Sequence, residues 1–301
     1  MKRNGQKKDN IADRALYRLF IIFGVFIRSV SRSTSTSIAH FIGNFVYDIL
    51  KTRRKLVEEN LARTFPEKTS IEINTIARRV YCNQAENIIE MFRLPMMRSA
   101  EDVAQVLDVD ARHIFAATID CKKGGVLVSA HFGNWELMAI CGGILLAPLT
   151  VVVKRLKNHE VDRQINAWRT MLGNRIIYKG RALREGLRTL QNGGILSILG
   201  DQSDPQGVFF MEFLGRRTPV FLGPAFLALK AGVPIFVAMC RRTGGGRFIV
   251  DIEKIDISGL STAKTDVEEL ARRYTKVLES YIYRYPEEWF WLHNRWKRVE
   301  S

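Results

Sequence analysis

Gly124-Gly125-Val126-Leu127-Val128-Ser129-Ala130-His131-Phe132-Gly133-Asn134-Trp135-Glu136 is the stretch whose reading decides the fold. Residues 126–130 form a short run typical of a fully buried strand, and the glycine pair supplies the turn into it. Asn134 suits a helix N-cap, because its side-chain oxygen can accept from a first-turn amide; the helix is expected to run to about Leu146. Strand, tight turn and helix thus follow one another with almost no spacer, as they do in a parallel α/β sheet.

The alternation continues downstream. Residues 149–153 read as a strand, and Val161, Ile165, Trp168 and Leu172 mark one face of a helix. A strand at 176–178, a helix at 182–190, a strand at 195–199, a helix at 223–231 and strands at 235–240 and 248–252 follow. Val267, Leu270, Tyr274, Val277, Tyr281 and Tyr285 define a last amphipathic helix. Upstream, Ile73, Ile76, Val80, Gln84, Ile88 and Met91 recur at helical intervals until Pro95. No repeat or low-complexity linker divides the chain. The expected organisation is a basic, membrane-anchoring helical region over residues 1–60, then one α/β domain over residues 61–301 with a largely parallel central sheet flanked by helices. Ligands should approach the carboxyl ends of its strands.

Charge narrows the partners. The 46 Lys and Arg against 31 Asp and Glu leave the chain at +15, which suits nucleic acid, an anionic membrane or an acidic protein. Residues 1–66 hold 13 basic and 5 acidic side chains, a net of +8, leaving +7 for the rest. The apolar run 19–27 lies in that segment between Arg18 and Arg28, with Lys2, Arg3, Lys7, Lys8 and Arg14 upstream. A spanning helix needs about 20 apolar residues, and a signal peptide needs a small-residue cleavage site; this run has neither. In the second uncharged stretch, Ile38, Phe41, Ile42, Phe45 and Val46 share a helical face. Two such helices beside clustered cations suit an anchor lying on a membrane surface, with a single span as the alternative, although amphipathic helices also build ordinary cores. No nucleic-acid-binding motif accompanies the charge, so the expected partner is an anionic membrane and not nucleic acid. Cys82, Cys121, Cys141 and Cys240 lack metal or disulfide spacing and read as reduced thiols, which fits a globular part facing the cytoplasm.

His131 leaves the first strong strand at its carboxyl end, and Glu136 falls in the first helical turn. A carboxylate accepting from Nδ1 fixes the imidazole tautomer and leaves Nε2 as the acceptor that a general base needs. Neither Ser nor Cys stands in the motif as a nucleophile, and G-x-S-x-G is absent. His131 would therefore deprotonate a hydroxyl supplied by the substrate. Asp201 also stands at a strand end, where it enters the site or orders the loop.

Residues 131–136 resemble the His-x-x-x-x-Asp/Glu signature of glycerolipid acyltransferases, in the Glu-bearing form of the bacterial lipid A biosynthesis acyltransferases. The similarity extends over roughly residues 14–300. It takes in Lys154-Arg155, Arg169, Gly200-Asp201-Gln202, the stretch 213–219 and the closing Trp291-Leu292-His293-Asn294-Arg295. The resemblance implies acyl transfer from acyl carrier protein or coenzyme A to a hydroxyl of a phosphorylated lipid A precursor, at the cytoplasmic face of a bacterial inner membrane. It implies no metal, no cofactor and no covalent acyl-enzyme. His131 and Glu136 would be catalytic, with Glu136 orienting the imidazole. Asn134, Arg155, Arg169 and Asp201 would serve substrate binding, the arginines holding phosphate. Another glycolipid or a lysophospholipid is the alternative acceptor, and outside catalysis the alternative is a basic membrane scaffold or a nucleic-acid-binding protein. Arg216-Arg217 would touch headgroups or lie in a surface loop, and the aromatic and basic residues of 289–298 suit a membrane interface.

Overall fold

A computed structural model describes residues 11–109, 124–204 and 207–297; Lys2, Arg3, Lys7, Lys8, Cys121 and Arg298 lie outside them. Five helices come first: α1 (Ile11–Ser29), α2 (Arg32–Phe45), α3 (Arg54–Thr64), α4 (Ser70–Arg93) and α5 (Ala100–Ala104). Then follow β1 (Leu107–Val109), β2 (Gly125–Ser129), α6 (Trp135–Leu145), β3 (Leu149–Val153), α7 (His159–Thr170), β4 (Arg175–Tyr178), α8 (Ala182–Gln191) and β5 (Ile195–Leu199). The chain continues through β6 (Phe210–Phe213), β7 (Arg216–Pro219), α9 (Gly223–Ala231), β8 (Ile235–Gly244), β9 (Arg247–Ile255) and α10 (Lys264–Arg284).

Seven strands form one sheet in the order β1-β9-β8-β2-β5-β3-β4. Strands β8, β2, β5, β3 and β4 are mutually parallel, while β9 returns antiparallel to β8 and carries β1 beside it. The expected α/β class and mostly parallel sheet are therefore present. Strand β1 and the β6–β7 hairpin were not anticipated. The first is three residues long, and the hairpin carries Glu212, Arg216 and Arg217 instead of an apolar run.

Burial on both faces explains the apolar run of β2. Val126, Val128 and Ala130 join the core beneath α9 and α10, while Leu127 joins Leu137, Met138 and Cys141 of α6 on the other face. Each large aliphatic side chain so buried contributes about 1.5–3 kcal/mol.

Helices α1 and α2 pack on this body. Phe20 and Phe23 of α1 meet Phe92 of α4 at ring separations of 4.7 and 5.2 Å, and Phe20 stacks on Trp168 of α7 at 5.6 Å. Gly43 of α2 approaches α4 so closely that a Cβ would lie 2.6 Å from the Cα of Cys82. The opposite faces are apolar and open: Leu16, Leu19, Ile22 and Phe45 are exposed, and Phe41 is 72% exposed. Among the described residues no helix is long and apolar enough to cross a membrane.

The closing segment differs from expectation. Trp289, Trp291 and Trp296 are buried and pack on one another, with ring separations of 4.7–6.3 Å, so they belong to the core. Arg295 is buried with them and donates to Thr218 Oγ1 and the Pro219 carbonyl at 2.7 and 2.9 Å. Arg216 lies over the Trp296 ring at 3.2 Å and donates to Asn60 Oδ1; burial lowers its pKa to about 10. Its guanidinium is thus spent inside the fold.

Candidate active site

Strands β2 and β5 are neighbours in register, with Ser129 opposite Leu199. His131 and Asp201 each stand two residues beyond that pair, so both side chains emerge together at the carboxyl edge of the sheet. Asp201 Oδ1 accepts from His131 Nδ1 at 2.9 Å. Its Oδ2 accepts from the His131 amide at 3.0 Å and from the Trp289 indole at 2.9 Å. With Nδ1 donating to the carboxylate, Nε2 is the acceptor, and the Gln202 amide lies 3.2 Å from it. Trp135 and Phe290 flank the imidazole at 5.2 and 6.1 Å, leaving the side chain 20% exposed.

The turn after His131 is held on all sides. The Phe290 amide donates to the His131 carbonyl at 2.9 Å, and the Gly133 amide donates to the Glu288 carbonyl at the same distance. Gly133 has φ of 54°, and a Cβ there would lie 1.6 Å from the Cys240 carbonyl oxygen. Only glycine fits, for reasons of both conformation and space. Asn134 caps α6 as expected, accepting from the Leu137 amide at 3.0 Å.

Electrostatics follow from the geometry. Burial alone disfavours the imidazolium, but the charge and hydrogen bond of Asp201, with a smaller contribution from Glu136, raise the His131 pKa above its ordinary 6.5. Burial likewise opposes the Asp201 carboxylate, yet His131 and the Trp289 indole hold its pKa below the usual value. Both directions express one interaction, the ion pair between the two side chains. His293, also in this neighbourhood, has its pKa lowered mainly by burial, with Asp201 opposing and His131 adding.

Glu136 is not the partner of His131 Nδ1. It takes a two-pronged ion pair from Arg169 of α7, with Nε to Oε2 at 2.9 Å and Nη2 to Oε1 at 2.5 Å. Arg169 Nη1 also donates to Asn166 at 3.0 Å, so this arginine ties α6 to α7 beside the imidazole. Arg155 stands apart from that pair, exposed, its guanidinium stacked 4.4 Å over Tyr178. The carboxylate that orients the imidazole is therefore Asp201, where the sequence reading expected Glu136. A residue two positions past a strand end, on the strand that pairs with β2, was the available signal for Asp201; nothing in the motif pointed to Trp289.

A neutral imidazole with an oriented tautomer and an available Nε2 can take a proton from a hydroxyl. The family of bacterial lipid A biosynthesis acyltransferases matches residues 3–298. The chain is similar to the phosphatidylinositol mannoside acyltransferase of Mycolicibacterium smegmatis, 24% identical over 80% of this chain and 78% of that protein. It is also similar to two Escherichia coli proteins, a lipid A biosynthesis lauroyltransferase (24% identical, over 85% of this chain and 83% of the relative) and a lipid A biosynthesis palmitoleoyltransferase (22%, 85% and 82%). With a match over nearly its whole length, the chain belongs to the bacterial lipid A biosynthesis acyltransferase family and is an O-acyltransferase.

Proposed function

We propose that the protein transfers a fatty acyl chain from an acyl thioester, carried by acyl carrier protein or coenzyme A, to a hydroxyl of a lipid A precursor, with His131 as general base. The observation that carries this reading is the His131–Asp201 pair at the carboxyl edge of the sheet, with Nε2 left as acceptor. His131 Nε2 takes the acceptor's hydroxyl proton while the oxygen attacks the thioester carbonyl carbon. Asp201 stabilises the imidazolium that forms. The tetrahedral intermediate then collapses, the carbon–sulfur bond breaks, and the imidazolium returns its proton to the departing thiolate. The amides of Trp135 and Glu136, at the start of α6 where no carbonyl of the helix reaches them, are assigned to the oxyanion. Glu136 adds to the negative field at His131 and holds Arg169; Arg155 is the guanidinium left to meet an acceptor phosphate.

The exposed apolar faces of α1 and α2 support a protein lying on a bilayer, with residues 1–60 as its anchoring region. On this reading the site works at the cytoplasmic face of the inner membrane. The similarity to a phosphatidylinositol mannoside acyltransferase favours a second acceptor class, a mannosylated phosphoinositide.

The test is transfer by purified protein in lipid vesicles, with acyl carrier protein and coenzyme A thioesters offered separately to each acceptor and products read by mass. The expected result is one added acyl chain on the lipid A precursor, lost in His131→Ala. Transfer to the mannosylated acceptor alone would replace the first acceptor with the second, and full activity in His131→Ala would end the catalytic assignment.

A further inference from the structure

Neither His131 nor Asp201 touches Arg242, yet the groups that hold both of them converge on it. Arg242 lies on β8 with its side chain 14% exposed. Its Nε donates to Glu86 of α4 at 2.9 Å, and its Nη1 pairs with Glu288 just before Trp289. Its Nη2 donates to the Asn83 carbonyl at 3.0 Å and to Asn87 Oδ1 at 2.6 Å. Asn87 turns its amide to the Gly133 carbonyl at 2.7 Å, while the Glu288 carbonyl accepts from the Gly133 amide at 2.9 Å. Both backbone groups of the residue two past His131 are therefore held by side chains or segments that Arg242 grips.

The same segment fixes Asp201. Residues 288–290 supply the Trp289 indole to Asp201 Oδ2 and the Phe290 amide to the His131 carbonyl. On the far side, Glu86 Oε1 meets His40 Nε2 of α2 at 2.5 Å. A run of charged and polar contacts thus leads from α2, whose outer face is open and apolar, through Glu86 and Arg242 to the turn and to the carboxylate.

We infer that Arg242 is a positioning residue that couples the seating of α2 and α4 to the alignment of the His131–Asp201 pair. This rests on the general-base reading above. The physical basis is the guanidinium's planar fork, which meets four acceptors on two segments at once, α4 and the turn at 286–288; an ammonium offers a point charge with three donors and cannot span them. The consequence is that a change in how α2 sits, including one made when its apolar face meets a lipid surface, reaches the imidazole through a chain of short contacts.

The experiment compares the full-length wild type with Arg242→Lys and Asn87→Ala. The second variant keeps the Arg242 ion pairs but frees the Gly133 carbonyl, so it remains informative if the first is destabilised. Folding is checked by circular dichroism, and the His131 pKa is read by nuclear magnetic resonance on histidine-labelled protein, assigned with His131→Gln. Asp201, Glu136 and His293 are the titratable groups whose charges reach His131, and none of them is altered. In folded Arg242→Lys the His131 pKa is expected to fall by about half a unit or more toward its ordinary value, and kcat to fall about tenfold with KM within about twofold. Asn87→Ala is expected to move both in the same direction. A merely structural role would lower Tm and leave the His131 titration where it was; folded variants that titrate like the wild type overturn the inference. Wild type inactive on every acceptor would defeat the proposed function, while the titration would still decide the coupling.

Discussion

Asp201→Asn is the sharpest probe of the site, because the geometry dictates how the new amide must sit. In the native pair, Oδ2 accepts from two donors, the His131 amide and the Trp289 indole, and Oδ1 accepts from one, Nδ1. Asparagine has one oxygen to offer. Placing it at the Oδ2 position keeps two buried donors satisfied; the flipped orientation would strand both, at about 1–3 kcal/mol each. The NH2 group therefore faces Nδ1, which must now accept, and the ring proton moves to Nε2. The base loses the lone pair it needs, and the imidazolium loses the carboxylate that stabilised it. Loss of general-base action costs about 10²–10⁴ in kcat/KM, or about 3–5 kcal/mol of transition-state stabilisation. The assay is steady-state transfer across pH, with folding confirmed separately. A variant within about threefold of wild type, with an unmoved acidic limb, would refute the reasoning. So would a Glu136→Gln variant that reproduced the whole loss while Asp201→Asn did not.

Other expectations follow from the same contacts. The wild-type kcat/KM should rise with pH and level off above the His131 pKa, which lies above 6.5; a limb below that value would contradict the Asp201 pairing. The linked stability has a definite sign. The raised His131 contributes stabilisation that is full below its unfolded pKa and lost as pH rises through the folded one. The lowered Asp201 contributes above its unfolded pKa and loses its contribution as pH falls through its depressed value. Chemical denaturation of Asp201→Asn across both limits should flatten this dependence. Arg169→Met leaves Glu136 without its partner in a half-buried site and should lower stability by about 3 kcal/mol, read from urea midpoints; an unchanged midpoint would show the pair to be idle. Phe41→Ser with Phe45→Ser should weaken sedimentation with anionic vesicles by about tenfold while leaving Tm within a few degrees, because both rings are exposed; unchanged sedimentation would take the bilayer away from this face.

Much of the sheet could be read along the chain because its strands are buried on both faces and so spell apolar runs. Strands 149–153 and 195–199 and the helix at 223–231 match their sequence readings in extent, and Asn134 caps its helix as its chemistry demanded. What sequence alone concealed was adjacency. The partner of His131 depends on β5 lying between β2 and β3, an order set by tertiary packing and not by sequence distance. Glu136, five residues from His131, looked like the natural neighbour, but a helix start turns it toward α7, where Arg169 waits. Trp289 escaped notice for the opposite reason: aromatic residues mixed with cations suit an interface and a core equally until burial is known. The N-terminal helices split the same way: one face packs into the body, as the core reading has it, and the other is exposed and apolar, which supports the bilayer contact proposed above.

The bridge between Phe132 and Trp289 carries a consequence for biosynthesis. Translation delivers the histidine early, its carboxylate partner some seventy positions later, and the indole that steadies that carboxylate nearly ninety after that. A ribosome-bound chain that still lacks the tryptophan has Asp201 without its indole donor, so the pair on which the proposed function rests is held by the His131 contacts alone.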